Sequence, residues 1–289
     1  MLTSPQATLA APNQLQQYVQ QATTTTNMNM PIEGIQRLHE GLMRISTNAV
    51  DRLDGVQATF AVLNCALDRV HAHLMVNGSD ITRMSAEQAH ALRDVAEVLC
   101  ASSYLVKPFS NPNRRPLARR DNAPKIPHEA WNSIAPEFVQ RLWDVSSDTL
   151  NAVQLIASHN RGHPSDALDF VIEALSQLIK SLVDVFKYYV KDMHQPIAEA
   201  LITASRCSGF VHTAPLETCV GYALALATDV RQEDPDTAAR VLSLIVDQYT
   251  QGMKELLSRE DANSLPVLAC YFGLVSVTFL YATQIILTT

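Results

Sequence analysis

Glycine is the first thing in short supply. The 289-residue chain holds 9 glycines, about 3% where roughly 7% is usual. Folds built on many tight turns or on glycine-rich phosphate loops are therefore excluded. Charge is the second shortage. Charged residues make up 18% and apolar residues 47%, against a typical charged share of about 25%. A disordered chain would show the opposite balance. No run of alternating apolar and polar residues is long enough for a strand. No GxSxG, HExxH or Walker loop occurs, and no CxxC pair. The arrangements that announce nucleophilic, metal-assisted or phosphoryl-transfer chemistry are thus missing. What remains is an all-α chain, expected to form a multi-helix bundle of about eight to ten helices, elongated or two-lobed.

The five cysteines, Cys65, Cys100, Cys207, Cys219 and Cys270, are odd in number, widely spaced and set among apolar neighbours. They read as buried free thiols, which suits a reducing intracellular compartment or a virion. The first residues lack a basic stretch before an apolar one, so no signal peptide is expected. The net charge is −7, from 22 Lys and Arg against 29 Asp and Glu. Bulk charge alone will not draw this chain to a polyanion.

Four regions follow from composition. Residues 1–30 form a polar arm with no charged side chain and four consecutive threonines, Thr23 to Thr26. Residues 31–104 form an N-terminal helical lobe. From Pro31 to Val76 apolar residues recur in steps of three and four, from Ile35, Leu38 and Leu42 to Leu67, Val70 and Leu74. That is a heptad seam with one four-residue stutter near Ala49. It fits one long helix or two bundle helices divided at the stutter or at Gly55. Asn77-Gly78 suits a helix stop. Ser85 and Gln88 have capping-box spacing behind Met84, so a helix is expected to about Ser103, burying Leu92, Val95 and Leu99.

Residues 105–129 form a loop in which Pro108, Pro112, Pro116, Pro124 and Pro127 forbid a long helix. Six cations, Lys107, Arg114, Arg115, Arg119, Arg120 and Lys125, stand against Asp121 and Glu129. The local net of +4 leaves −11 for the rest of the chain. Arg114, Arg115, Arg119, Arg120 and Lys125 are the candidate binding residues. Guanidinium forks suit both phosphates and carboxylates, so the partner is nucleic acid or an acidic protein surface. Phe109 and Trp131 lie near enough in sequence to offer stacking.

Residues 130–289 form a C-terminal helical lobe. Helix is expected over Pro136–His159, then from a cap at Ser165 to about Met193. The second of these carries one ladder from Leu168 to Tyr189 and another through Ile179, Val183, Phe186 and Val190, so it should be buried on much of its circumference. Pro196 opens or kinks a further segment. Thr213 and Pro215 precede another, carrying Val220, Ala223, Leu224 and Ala227. Asp234-Pro235 is an N-cap and first-turn pair for a helix to about Leu257. From Leu265 to Thr289 no side chain is charged. Pro266–Leu287 as a helix would span about 33 Å, the thickness of a bilayer. It lacks a basic flank and is interrupted by Ser276, Thr278, Thr283 and Gln284. It reads as a buried helix, with a membrane span as the alternative.

Scattered polar residues read as structural. His71 and His73, two apart on a helix, point to opposite sides and cannot share a metal. His159 and His163 flank a helix end, set by Gly162 and Pro164, and read as a capping or surface pair. Asp166, Asp169 and Glu173 sit at a helix start, where the macrodipole favours them. No cofactor and no metal are expected, and the expected class is not an enzyme. The expectation is a self-assembling structural subunit, a homo-oligomer of viral capsid or nucleocapsid type, RNA-binding through residues 107–125. The alternative is a tail-anchored or membrane-inserting helical effector or translocator using residues 265–289.

Overall fold

The computed structural model describes residues 53–75, 80–104, 106–107, 128–160, 163, 165–207, 219, 221–227, 235–258, 273 and 276. Among these the secondary structure is helical and no strand occurs. The helices are α1 (Leu53–Met75), α2 (Ala86–Ser103), α3 (His128–Asn160), α4 (Asp166–Lys180), α5 (His194–Arg206) and α6 (Pro235–Leu257), with a further helical stretch at 221–227.

Local chemistry sets several of the ends. Ser85 and Gln88 form the full capping box: the Gln88 amide donates to Ser85 Oγ at 3.2 Å, and the Ser85 amide donates to Gln88 Oε1 at 2.9 Å. Two otherwise orphaned N–H groups of α2 are thereby satisfied. The Leu168 amide donates to Ser165 Oγ at 3.3 Å and starts α4. Pro196 sits in the first turn of α5, where a missing N–H costs nothing. Pro235 is the first residue of α6.

The helices stack in two rows. In one row α1 lies beside α3, α3 beside α5, and α5 beside α6. In the other, α2 packs chiefly against α4, and the stretch 219–227 follows along α4. Within the first row α1 and α3 run parallel. Phe60 meets Phe138 edge-on at 5.4 Å, Arg141 reaches Asn64 and Asp68, and His71 lies 3.5 Å from Asp148. Within the second row α2 and α4 are also parallel, in a constant register. His90 meets Phe170, Arg93 meets Glu173 and Tyr104 meets Asp184, each pair 80 residues apart. Two helical hairpins, α1–α2 and α3–α4, therefore lie side by side like consecutive turns of a stack.

One hydrophobic core runs between the rows and takes residues from both sides of positions 108–127, which lie outside the described residues; residues 128 and 129, expected in the Pro/Arg-rich segment, are already helical in α3. Leu63, Leu67 and Val70 enter it from α1, Leu92 and Leu99 from α2, Leu142 and Val153 from α3, and both ladders of α4. Phe60, Phe138 and Phe186 form a three-ring cluster across α1, α3 and the segment that follows α4. At the far end Tyr249 of α6 is buried and donates to Ser205 Oγ of α5 at 3.0 Å. Cys100 and Cys219 are buried and Cys65 and Cys207 half-buried, all four as free thiols; Cys270 lies outside the described residues.

Two helix expectations need correction. The helix expected to open at Pro136 begins eight residues earlier, at His128, and carries Pro136 in its interior. Proline removes one intrahelical bond and crowds the carbonyl four residues back. Pro136 and Asn132 are both exposed, so water reaches the orphaned carbonyl. The helix expected to continue to Met193 leaves α geometry at Ser181. A π-helical turn covers Ser181–Val185, and two short 3-10 turns follow. The Phe186 amide is shared between Ser181 O at 3.3 Å and Leu182 O at 3.1 Å. Leu182, Val183, Val185 and Phe186 are all buried, more than one stripe of a regular helix can hide. The wider turn rotates them inward together and leaves Lys187 exposed.

Candidate functional site

The predicted binding residues Arg114, Arg115, Arg119, Arg120 and Lys125 lie outside the described residues, as do Phe109 and the side chain of Trp131. The residues that flank this segment in sequence are described. Lys107 follows α2, and α3 begins at His128. Both flanks are tied to the segment after α4. Tyr104 donates to Asp184 Oδ2 at 2.6 Å, and Tyr189 donates to Asn132 Oδ1 at 3.0 Å.

A row of lysines and tyrosines occupies this root. Lys107 Nζ stands 5.1 Å from the centre of the Tyr104 ring. Lys180 Nζ stands 5.9 Å from the same ring and 5.9 Å from that of Tyr222. Just beyond the π turn, Lys187 Nζ lies 5.6 Å from the Tyr188 ring. Ammonium groups within about 6 Å of an aromatic face are attracted by its quadrupole. The row draws on α2, α4 and the 221–227 stretch. Lys107 and Lys187 are exposed, and Tyr104, Lys180 and Tyr222 half-buried.

Electrostatics bear on Lys180, Tyr222 and Tyr104. The neighbouring Tyr222 hydroxyl raises Lys180 above its ordinary value, so it stays an ammonium. Burial raises Tyr222, with Lys180 pulling the other way. Burial and the hydrogen bond to Asp184 raise Tyr104 well above an ordinary phenol. Beneath the row, burial raises the Cys100 thiol, which has no thiolate to offer. Cys219 is pushed up to about 12 by burial and lies 3.1 Å from Ser176 Oγ.

The opposite end of the α2–α4 seam holds a different cluster. Arg93 donates to Asp94 at 2.6 Å and to Glu173 at 3.4 Å, and its guanidinium lies 5.2 Å from the Phe170 ring centre. His90 shares a hydrogen bond of 3.0 Å with Arg93 at Nε2 and reaches Asp94 at 3.3 Å through Nδ1. Glu173 therefore pairs across helices. Asp169 is fully buried one turn into α4, and Asp166 is exposed in its first turn. His71 and His73 face apart, one exposed and the other half-buried. Burial, with Arg69 nearby, lowers His73. Among the described residues no group of three His, Cys, Asp or Glu side chains is arranged to hold a metal.

Sequence reasoning counted Lys107 with the loop but missed Tyr104, Lys180 and Tyr222. Nothing local links positions 104, 180 and 222; only the parallel register of the second row unites them. No family model matches this chain, and neither a curated protein nor a solved structure matches it.

Proposed function

We propose that this chain is a non-enzymatic, self-assembling structural subunit of viral capsid or nucleocapsid type. The observation that carries the reading is the distribution of charge. Residues 1–30 and 265–289 hold no charged side chain, while the helical body between them is acidic and one loop is basic. Segments without charge are inexpensive to bury against another subunit, because no ion has to be desolvated. Two exposed apolar side chains support it. Met75 on α1 and Leu155 on α3 are 54% and 50% exposed, and the parallel register of these helices brings them to the same end of the first row. In this reading the chain is a bundle of about eight to ten helices. Its α1 is the second half of a heptad-patterned helix, and an apolar helix closes the C-terminus. The 107–125 arginines meet nucleic acid or the acidic body of a neighbour.

The test is light scattering on the full chain, without detergent, over a range of concentrations. Stable assemblies are expected, and a strict monomer at high concentration sinks the reading. The rival reading is insertion of residues 265–289 into a membrane. Among the described residues no helix is long and apolar enough to cross one. Of that segment only Gly273 and Ser276 are described, both helical and exposed. Deleting residues 262–289 separates the two. An assembly or core helix takes the cooperative melt with it; a membrane anchor leaves the soluble fold intact and abolishes partition into vesicles.

A further inference from the structure

We propose that the lysine–tyrosine row formed by Lys107, Tyr104, Lys180 and Tyr222 is a binding surface for single-stranded nucleic acid. The row alternates ammonium, ring, ammonium, ring at steps of 5.1, 5.9 and 5.9 Å. A single strand asks for this pairing of groups: cations for its phosphates and π faces for its unstacked bases. The negative end of the α2 dipole accounts for a cation at Lys107. It does not account for Lys180 lying between two rings from separate segments. An acidic peptide would use the ammonium groups and have no need of the tyrosines.

The surroundings favour the same partner. The nearby carboxylate, Asp184, accepts from the Tyr104 hydroxyl at 2.6 Å. That hydrogen bond engages one carboxylate oxygen; Asp184 also acts on Lys180, so one negative charge stands against the two ammonium groups of the row. Lys187 and Lys191 add two exposed cations just past the π turn, against Asp192. The chain leaves Lys107 directly into the segment carrying Arg114, Arg115, Arg119, Arg120 and Lys125. The root surface is thus covalently continuous with the most basic stretch of the protein, and a strand lying on it would be drawn in by that charge. This inference is independent of self-assembly, since the row lies within one chain.

Fluorescence anisotropy with the full-length protein and a labelled uridine dodecamer, repeated with the thymidine dodecamer, tests it across a salt series. The double substitution K107Q/K180Q is expected to weaken binding about tenfold and to reduce the magnitude of the salt slope by about 1.4, or about 0.7 per lost phosphate contact. Tyr222→Ala is expected to weaken binding by about tenfold with the salt slope unchanged, and Tyr222→Phe to retain it, because stacking needs the ring and not the hydroxyl. Circular dichroism melts show that each variant is folded, and light scattering on the same samples reads assembly separately. An unchanged affinity and slope in K107Q/K180Q overturns the proposal. So does a polyglutamate competitor that displaces the dodecamer at equal charge while Tyr222→Ala binds like the parent, which identifies an acidic protein partner instead.

Discussion

The α2–α4 seam ends in two polar clusters built from different chemistry. At the Arg93 end a cation meets carboxylates: Asp94 at 2.6 Å and Glu173 at 3.4 Å, with Phe170 beneath. At the Tyr104 end the carboxylate accepts from a phenol, and the cations lie over rings. The first end closes its charges on itself and leaves little for a partner. The second sets its lysines against rings: Lys107 is exposed, and Lys180 is half-buried beside the Tyr222 hydroxyl and Asp184. Two ends of one helix pair, with one register, can thus be a structural clasp and a surface suited to binding. Between them the seam is dry, with Val95, Ala96 and Leu99 of α2 buried and Ile172, Leu175 and Ile179 of α4 likewise.

The largest expected effect comes from breaking the dry middle that both ends depend on. Leu99 is fully buried, and Leu99→Ala should cost about 2–5 kcal/mol through lost burial and a residual cavity. Urea denaturation followed by circular dichroism measures it; a cost below about 1 kcal/mol would mean the seam can collapse around the gap. The Arg93 clasp is next. Arg93→Met keeps most of the apolar stem over Phe170 and removes the fork. A loss of about 1–2 kcal/mol is expected, smaller in high salt because all three charged partners are reached by some solvent. A variant as stable as the parent at both salt concentrations would reduce this end to a surface pair, and the contrast with the other end would lose its basis.

The parts of this contrast legible in the sequence are those encoded over a few residues. Ser85 and Gln88 announce the start of α2 and Ser165 that of α4, because a cap joins one side chain to an amide three residues on; Pro235 announces that of α6, because its ring fixes φ and its missing N–H costs nothing in a first turn. The two ladders of α4 announced its deep burial. Pro136 misled, because proline is commonest in a first turn and its tolerance inside α3 depends on water at Asn132. The π turn was hidden as well. Its cause is the need to bury Leu182, Val183, Val185 and Phe186 together, which is a demand of the surrounding core. Both clusters were hidden for a related reason: their partners are 80 residues apart, and no period in the chain marks that distance. Glu173, expected at a helix start, lies midway along α4, beyond the reach of the helix dipole, and its partner is Arg93 of α2.

The smallest expected effect lies at the Tyr104 end, and pH sharpens it. Tyr104→Phe keeps the ring under Lys107 and Lys180 and removes only the hydrogen bond to Asp184. A loss of about 1 kcal/mol is expected near neutral pH. Burial and Asp184 both raise the Tyr104 phenol above its ordinary value of 10.0, so the folded chain holds this proton more tightly than the unfolded chain. Stability from this group is complete below about pH 10 and is lost as pH rises past it. The parent should therefore weaken more steeply than Tyr104→Phe above about pH 10, and the two urea midpoints should converge. Cys219, raised from 9.0 to about 12 by burial, adds a decline that begins lower and is common to both proteins. Adding Cys219→Ser to each background removes the Cys219 part; Cys100 and Tyr222, also raised by burial, act on Tyr104 and belong with it to the alkaline difference that remains. Alkaline curves that stay parallel for parent and Tyr104→Phe would show that the hydroxyl gives up its proton as easily in the folded chain as outside it. The Tyr104–Asp184 bond would then not be what holds this end of the seam.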